Sequence, residues 1–183
     1  MISFYYGTMA SGKSTAALQL NFSLRQKNHK VLLIKPSIDT RDVGVVKSRI
    51  GIQHECYVWR QDEDLNIESD ITHIIVDEAQ FLSEYQIEQL CFFSDIDVSI
   101  YCFGLRTTYK GDLFEGSARL FAIADNLYEL PTISYDGNKT IMHVRYQDGK
   151  PVFEGDKIHV GGDDMYLAVS RKEWRKLKSE SVK

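Results

Sequence analysis

Short apolar runs alternate with longer amphipathic segments along the first two thirds of the chain. Residues 13–27 and 83–94 carry apolar side chains three and four positions apart, which predicts helices. Nearly continuous apolar runs, typical of buried strands in a parallel sheet, occur at four places: residues 2–6, 31–34, 73–76 and 98–103. Because strands and helices alternate, the pattern predicts an α/β core with a parallel sheet and right-handed crossover connections.

The segments between these elements are more polar. Residues 36–52 contain glycine and several basic side chains, and we predict a loop there. Residues 57–59 favour a short strand, and residues 104–116 form a second predicted loop, bracketed by glycines. A short helix is predicted to follow that loop over residues 117–125.

The pattern changes near residue 127, where the predicted strands become short and turns become frequent. Asp148-Gly149 is a strong signal for a hairpin turn between strands over residues 142–146 and 151–153. The basic segment 171–178 favours an exposed helix. The end of the chain is therefore predicted to be rich in β-structure, unlike the part before it.

The composition fits a soluble globular protein, since 43% of the 183 residues are hydrophobic and 26% are charged. This length favours one core domain with a small appendage. We place the core domain at residues 1–127 and the small β-rich domain at residues 128–183.

The net charge and the cysteines limit the functional classes to which this chain can belong. A net charge of −4 argues against a nucleic-acid-binding surface. We find no signal-peptide pattern and no run approaching the roughly 18 apolar residues that a membrane-spanning helix needs. The three cysteines are odd in number and widely spaced, which indicates a reducing compartment. We therefore expect a cytoplasmic protein with no membrane or nucleic-acid partner.

Residues 7–14 read GTMASGKS and fit the phosphate-binding pattern G-x-x-x-x-G-K-[ST]. A predicted strand precedes this loop and a predicted helix follows it, which is the context that the motif requires. Lys13 is expected to reach the β- and γ-phosphates of a nucleoside triphosphate, and Ser14 to offer its hydroxyl to Mg²⁺. The predicted nucleotide-binding residues of this segment are Gly7, Thr8, Met9, Ala10, Ser11, Gly12, Lys13, Ser14 and Thr15.

Asp77 and Glu78 follow the apolar run 74–76, at the strand end where α/β sheets bind ligands. Asp77 is placed to hold Mg²⁺ through water. Glu78 has no evident structural duty, so its carboxylate could accept a proton from an attacking hydroxyl or orient a hydrolytic water. The alternative is that Glu78 caps the turn that follows it.

Other candidates are weaker, because each has a plausible structural role. Arg41 could bridge phosphates or order the acidic base, or it could be a solvated surface arginine. Tyr109 and Phe114 could stack on a base or belong to the core. Tyr166 follows a glycine-rich segment and could approach a ligand, or it could be an ordinary strand residue. The histidines lack metal-ligand spacing and are predicted to be non-catalytic: His29, His54, His73, His143 and His159.

Six segments in sequence order resemble the type II thymidine kinase family. They are residues 7–15, Lys35-Pro36 with Asp39-Thr40-Arg41, residues 77–81, residues 104–107, residues 114–116, and Gly161-Gly162 with Tyr166. The phosphate loop alone is a weak identifier, whereas residues 77–81 (DEAQF) together with the late glycine pair and tyrosine are much more specific. The resemblance implies a P-loop, RecA-like α/β core and a small lasso-bearing C-terminal domain.

The resemblance also implies the reaction, which is transfer of the ATP γ-phosphoryl group to the 5′-hydroxyl of thymidine. Glu78 would be the general base, with Lys13 and Arg41 also catalytic, and Gln80 would join Asp77 on the nucleotide side. A lasso over residues 137–165 would hold thymine by backbone hydrogen bonds. The implied substrate-binding residues are Met9, Phe81, Leu105, Tyr109, Phe114, His159, Gly161 and Tyr166. Deoxyuridine is expected to be a second substrate, dTTP a feedback inhibitor, and the assembly a homotetramer.

One departure from the family concerns a structural zinc, which many members hold with two C-x-x-C pairs. The corresponding positions here are Ser134, Gly137, Ser170 and Glu173. Tetrahedral zinc favours thiolate or imidazole ligands, so we predict no zinc site. Thr108 is a second departure, because related bacterial sequences often carry aspartate there.

Two other functional classes fit part of the same evidence. A RecA-like P-loop ATPase acting with a macromolecular partner would use Glu78 to activate water. Stimulation of ATP turnover by single-stranded nucleic acid, without any nucleoside, would favour it. A degenerate protein that senses dTTP without catalysis is the other class, although such a protein would have no need of the base.

Overall fold

The computed structural model describes residues 1–155 and 165–181. The strands in these ranges are β1 (Ile2–Gly7), β2 (Val31–Pro36), β3 (Val45–Lys47), β4 (Gln53–Glu55), β5 (Tyr57–Trp59), β6 (His73–Val76), β7 (Ser99–Leu105), β8 (Asn126–Glu129), β9 (Met142–Gln147), β10 (Lys150–Val152) and β11 (Tyr166–Val169). The helices are α1 (Lys13–Gln26), α2 (Glu84–Asp95), α3 (Glu115–Ile123) and α4 (Arg171–Ser181). No helix in the two described ranges is long and apolar enough to cross a membrane.

Six strands form one parallel sheet in the order β5-β2-β6-β7-β1-β8, which confirms the predicted α/β core. Parallel neighbours place their carboxyl ends at one edge of the sheet, which is where such folds bind ligands. Strands β1 and β6 flank β7, so the segments that follow β1 and β6 become neighbours although they lie far apart in the sequence.

The sheet is buried on both faces, which explains its continuous apolar runs. Ile74 and Val76 of β6 pack in one cluster with Ile87 and Leu90 of α2. Ile75 lies between them in the sequence and packs in the cluster on the α1 side, because adjacent strand residues point to opposite faces. Full burial of each such side chain contributes about 1.5–3 kcal/mol, so β6 is a rigid support for the residues that follow it.

The predicted loop over residues 36–52 is only partly a loop. Its second half contains β3, which pairs antiparallel with β4 in a short hairpin. Val46 is buried and packs in the α1-side cluster, which holds the hairpin against the core. The sequence does not reveal this hairpin because three-residue strands among polar residues carry no measurable period.

Strand β8 is also absent from the sequence prediction. It extends the core sheet to Glu129 by pairing with β1. An edge strand needs little burial, and Leu127 and Tyr128 are exposed, so the apolar pattern is weak there. The preceding helix α3 begins at Glu115 and ends at Ile123, earlier at both ends than the predicted range of 117–125.

Strands β9, β10 and β11 form a separate antiparallel sheet in the order β10-β9-β11. Together with α4 they make up what we call the small lobe. Asp148 and Gly149 both have positive φ, 52° and 73°, as a two-residue hairpin turn requires, so the predicted hairpin is confirmed. The core of the lobe is a cluster of buried side chains: Met142, Val144, Phe153 and Val169.

Candidate active site

A cavity of about 550 Å³ lies at the carboxyl edge of the parallel sheet, beside the small lobe. Its walls contain most of the residues singled out from the sequence: Met9, Ala10, Gly12, Lys13, Ser14, Thr15, Arg41, Asp77, Glu78, Gln80, Phe81, Leu105, Tyr109, Phe114 and Tyr166. The fold therefore brings into one place side chains that are spread over most of the chain. Their individual roles remain predictions.

The phosphate loop, residues 7–15, runs from the end of β1 into the first turn of α1. Gly7 has no room for a side chain, since a Cβ there would lie 2.5 Å from both the Leu130 carbonyl oxygen and the Ser11 hydroxyl. Gly12 has φ 80°, a left-handed conformation that glycine adopts readily, and α1 begins at the next residue. The N-terminal end of α1, with its free N–H groups and positive dipole, is thereby placed beside the cavity.

Two hydroxyl groups at the site suit a ligand that supplies polar atoms. Within the described part of the chain, the buried hydroxyls of Ser11 and Thr107 have no hydrogen-bond partner. Thr107 also lines the cavity. Buried hydroxyls are normally hydrogen-bonded, so the Ser11 hydroxyl in the phosphate loop fits a polar ligand such as a nucleotide. Thr107 lies in a segment quoted above, but the sequence assigned no role to it.

Lys13 is buried in the loop, and its Nζ donates to the Thr8 carbonyl at 2.7 Å. Burial lowers the pKa of Lys13, and the charges of Glu78 and Asp77 oppose that shift. A buried ammonium group gains most when anionic oxygens surround it. Its position thus suits the phosphate contact predicted from the sequence.

Asp77 follows β6 directly, and its carboxylate hydrogen-bonds to the Ser14 hydroxyl. Burial raises the pKa of Asp77 and the Glu78 charge raises it further, while Ser14 and Lys13 lower it. The Asp77 carboxylate and the Ser14 hydroxyl suit Mg²⁺, because this ion binds one or two protein oxygens together with phosphates and water. Groups of three or more His, Cys, Asp or Glu able to hold a metal are absent from residues 1–155 and 165–181.

Glu78 adopts φ 55°, an uncommon left-handed conformation for a residue other than glycine. It occupies the N-cap position of a 3₁₀ turn, Ala79–Phe81, but its side chain makes no capping hydrogen bond. Instead, Oε1 accepts from Arg41 Nη2 at 2.9 Å and Oε2 accepts from Gln80 Nε2 at 2.6 Å. The capping role weighed in the sequence analysis is therefore not what holds this carboxylate in place.

Arg41 is also held by Asp39. Its Nε donates to Asp39 Oδ1 at 2.7 Å and its Nη2 donates to Oδ2 at 3.0 Å. Lys35 Nζ lies 3.1 Å from the same carboxylate. Burial acts to raise the pKa of Asp39, but hydrogen bonds from Arg41 outweigh it and hold the pKa below its ordinary value. Arg41 is thus ion-paired beside the cavity although its side chain is 38% exposed. Asp39 is a supporting residue to which the sequence assigned no role.

Gln80 connects the acidic pair to the neighbouring strand. Its side chain is buried, its Oε1 accepts from the Leu105 N–H at 2.9 Å, and its Nε2 donates to Glu78. Both ends of the amide are therefore occupied by protein groups. In the described structure Gln80 positions Glu78 and the end of β7, although the sequence placed it among the nucleotide-binding residues.

Four aromatic side chains line the cavity, and we call them the aromatic wall: Phe81, Tyr109, Phe114 and Tyr166. Phe81 and Phe114 pack edge to face with ring centroids 5.8 Å apart. Tyr109 lies 6.4 Å from Tyr166, and its hydroxyl donates to the Glu154 carbonyl at 3.0 Å. A wall of this kind suits a planar base, because aromatic rings bury large apolar areas and stack on π-faces.

His143 lines the same cavity and was not predicted to take part in it. Its Nε2 accepts from the backbone N–H of Met9 at 2.9 Å, and the ring also hydrogen-bonds to the backbone of Thr107. Burial, aided by the Lys13 charge, lowers the pKa of His143 to about 3, so the ring is neutral. Met142 and Val144 point into the lobe core, so alternation along β9 was the signal that His143 faces the other way.

Part of the predicted nucleoside site cannot be placed. His159 and Gly161 lie outside the described residues. Of the predicted lasso over residues 137–165, the structure describes residues 137–155 and Met165, which include the β9–β10 hairpin. Strand β11 then begins at Tyr166, which reaches the cavity.

The fold and the site define a P-loop nucleotide-binding α/β protein with an acidic pair beside the phosphate loop. Comparison with known proteins narrows this class. The family profile described as Thymidine kinase matches residues 1–174. The chain belongs to the thymidine kinase family.

Individual relatives align over nearly their whole length. A thymidine kinase from Shewanella oneidensis is 40% identical over 184 residues, which covers 95% of this chain and 96% of that protein. One from Haemophilus influenzae is 41% identical over 182 residues, covering 94% of each chain. One from Photorhabdus laumondii is 36% identical over 190 residues, covering 98% of this chain and 94% of that protein. The similarity therefore extends over both the core and the small lobe.

Proposed function

We propose that this enzyme transfers the γ-phosphoryl group of ATP to the 5′-hydroxyl of thymidine, with deoxyuridine as a second substrate. The observation that carries the proposal is the Glu78 carboxylate, which Arg41 and Gln80 hold at the end of β6 beside the phosphate loop. Membership of the thymidine kinase family supports the choice of nucleoside. The alternative of an ATPase with a macromolecular partner is not favoured, because the family match covers most of the chain.

Each charged group has a part in the proposed reaction. Glu78 accepts the proton of the 5′-hydroxyl as the oxygen attacks the γ-phosphorus, and the bond from phosphorus to the β,γ-bridging oxygen breaks. Lys13 and Arg41 stabilise the negative charge on the phosphoryl oxygens. Ser14 and Asp77 would hold Mg²⁺, which would neutralise phosphate charge. ADP and the nucleoside monophosphate are the products.

The aromatic wall supports selection of a pyrimidine. Phe81 and Phe114 together with Tyr109 and Tyr166 line the cavity with aromatic rings on which a planar base can stack. Backbone groups of the lasso are proposed to pair with the pyrimidine edge, so cytosine would leave some of them unpaired. Deoxyuridine lacks only a methyl group, so discrimination against it should be about 1–3 kcal/mol.

The proposal excludes a structural zinc in the small lobe. The family positions are occupied by Ser134, Gly137, Ser170 and Glu173, which provide no thiolate or imidazole. The Ser134 and Ser170 hydroxyls are engaged instead by the carboxylate of Asp136. This arrangement supports a lobe whose fold does not depend on metal.

The family resemblance supports the remaining parts of the proposal. They are feedback inhibition by dTTP, a homotetrameric assembly, a cytoplasmic site of action and no nucleic-acid partner. The net charge of −4 agrees with the last of these.

A substrate panel tests the reaction and the base together. Phosphorylation of thymidine, deoxyuridine, deoxycytidine, deoxyadenosine and deoxyguanosine is measured with the wild-type enzyme and with Glu78→Gln. We expect thymidine and deoxyuridine to be phosphorylated, and a loss of about 10²–10⁴-fold in kcat for Glu78→Gln with ATP affinity nearly unchanged.

The matched control is Glu84→Gln, since the Glu84 side chain is 70% exposed. That variant should retain wild-type kinetics. Full activity of Glu78→Gln would refute the assignment of the base. Absence of a nucleotide product from every nucleoside, despite ATP binding, would refute the proposed reaction.

A further inference from the structure

We propose that His143 is a positioning residue that fixes the phosphate loop against the small lobe, so that loss of its hydrogen bond to Met9 weakens ATP binding. The kinetic test of this role rests on the proposed function, whereas the test by ATP-analogue binding does not. His143 comes from β9, whereas the groups that it contacts belong to loops of the core. It therefore joins parts of the molecule that have separate hydrophobic cores.

The two hydrogen bonds of the ring define its tautomer. Because Nε2 accepts the Met9 N–H at 2.9 Å, the hydrogen of the neutral ring must lie on Nδ1. The ring is 3% exposed, and its bond to the Thr107 backbone uses that remaining hydrogen. A neutral imidazole has one acceptor nitrogen and one donor nitrogen. Here the acceptor bonds to the phosphate loop at Met9, and the donor bonds to the loop that contains Thr107.

A second contact ties the neighbouring loop residue to the same part of the lobe. The hydroxyls of Thr8 and Thr140 lie 2.7 Å apart and are buried. Two consecutive residues of the phosphate loop are thus attached to the segment that leads into and forms β9. The Met9 N–H is bound by protein, so the loop shape around it is set before any phosphate enters.

Strand β9 also pairs with β11, which reaches the nucleoside side of the cavity. Ala168 of β11 pairs opposite His143. Two residues earlier on β11, Tyr166 lines the cavity. A shift of β9 relative to the core would therefore move the phosphate loop contact and the aromatic wall together. This gives His143 a role that an ordinary buried histidine would not have.

Three substitutions at His143 distinguish the effect of losing the Met9 hydrogen bond from the effect of losing the Thr107 hydrogen bond. His143→Leu removes both of them. His143→Gln retains an acceptor at a reach similar to that of Nε2, whereas His143→Asn retains polarity near Nδ1 but cannot reach Met9. The control is Val144→Ala, because Val144 is fully buried in the lobe core on the opposite face of β9. It weakens lobe packing without changing any contact of the phosphate loop.

The primary measurement is calorimetric binding of the β,γ-imido analogue of ATP with Mg²⁺ and no nucleoside present. A displacement of about 1 Å in a site can change function about 100-fold. We expect His143→Leu and His143→Asn to lose about tenfold or more in affinity, His143→Gln to stay within about threefold of wild type, and Val144→Ala likewise. Steady-state kinetics should show the same order in kcat and in the KM for ATP.

The outcomes are decisive even if one variant folds poorly. Wild-type affinity in His143→Leu or His143→Asn would overturn the proposal. An equal loss in Val144→Ala would also overturn it, since the effect would then come from lobe stability. If the wild-type enzyme binds the analogue with the expected variant order but phosphorylates no thymidine, the proposed function fails and the positioning role of His143 stands.

Discussion

At the scale of single residues, the neighbours of Glu78, the proposed base, hold it in a backbone conformation that is unfavourable in itself. A left-handed conformation such as that of Glu78 costs about 1–3 kcal/mol in a residue other than glycine. It persists only where surrounding contacts favour it, and here Arg41 and Gln80 each hold one carboxylate oxygen. Because both oxygens accept hydrogen bonds from protein groups, the orientation of the carboxylate is defined before any ligand binds.

The first prediction concerns Arg41→Lys. Lysine keeps the positive charge but cannot hold the Asp39 carboxylate with two hydrogen bonds and reach Glu78 as well. We expect kcat for thymidine phosphorylation to fall about 100-fold, with a KM for thymidine within about threefold of wild type. Steady-state kinetics with purified enzyme provides the measurement.

Arg119→Lys is the matched control for this change. Arg119 forms exposed ion pairs with Glu84 and Glu88 on the surface, and such pairs contribute about 0–1 kcal/mol. Its kinetics should therefore equal those of wild type. If Arg41→Lys also behaves like wild type, the guanidinium geometry around Glu78 is not needed for catalysis.

The functional residues that could be identified from the sequence lie in motifs, and each motif constrains several positions at once. The phosphate loop and the acidic pair specify both residue type and spacing, so their convergence at the sheet edge follows from strand order. Asp39 lies in a segment that resembles the family but had no chemical role assigned to it, and His143 lies in no such segment. Their importance depends on which loop faces them, and only the tertiary structure supplies that information.

At the scale of elements, burial decides which strands can be predicted. The central strand β6 is buried on both faces, and its apolar run identifies it without ambiguity. The hairpin of β3 and β4 and the edge strand β8 have mostly polar or exposed side chains. Their stability comes from pairing with neighbouring backbone, which leaves little trace in the pattern of hydrophobic residues.

The polar clasp of the small lobe, which consists of Ser134, Asp136, Asn138 and Ser170, is a second element-scale feature. One carboxylate oxygen of Asp136 is bonded by the Ser134 hydroxyl and the Asn138 N–H, and the other accepts from the Ser170 hydroxyl at 2.9 Å. The clasp links the segment before β9 to the start of α4, because Ser170 immediately precedes that helix. Two of its members, Ser134 and Ser170, occupy positions that the family resemblance assigns to zinc ligands.

The second prediction is that Asp136→Asn lowers the stability of the protein while chelators do not. Hydrogen bonds from Ser134 and Asn138 hold the pKa of Asp136 well below its ordinary value. A depressed native pKa means that the carboxylate stabilises the fold at neutral pH and that this contribution is lost as the pH falls. The melting temperature of Asp136→Asn should thus lie below that of wild type at pH 7, and the difference should shrink in acid below about pH 4.

Asp148→Asn provides the control, since Asn tolerates the left-handed conformation that this turn residue adopts. Its melting temperature should equal that of wild type. Overnight incubation with EDTA should leave the melting temperature of wild type unchanged. A lowered melting temperature after chelation, restored by added zinc, would contradict the clasp and the absence of a zinc site.

At the scale of the whole molecule, residues of both the core and the small lobe line the cavity, and hydrogen bonds join the two parts. The phosphate loop contacts His143 of the lobe and Thr140, which lies just before β9. Trp174 Nε1 of α4 also donates to the carbonyl oxygen of Tyr109 at 3.0 Å. Because Met9 and Tyr109 both line the cavity, the orientation of the lobe and the shape of the cavity are linked.

The third prediction tests this link with Trp174→Phe. Phenylalanine keeps an aromatic ring beside Phe153, which lies 5.6 Å from the Trp174 ring, but leaves the Tyr109 carbonyl without its donor. An unsatisfied buried carbonyl costs about 1–3 kcal/mol. We expect a loss of that size in the free energy of unfolding, measured with denaturant. Since Tyr109 lines the cavity, we also expect the KM for thymidine to rise about fivefold.

Leu177→Ala distinguishes this effect from a general loosening of the lobe. Leu177 packs against the lobe core from the same helix, without a hydrogen bond to the core loop. It should lower stability by a similar amount while leaving the KM for thymidine close to that of wild type. If both variants raise that KM equally, lobe stability alone governs nucleoside binding. If neither variant raises that KM, the position of Tyr109 does not depend on α4. The core and the small lobe would then be coupled only through the phosphate loop.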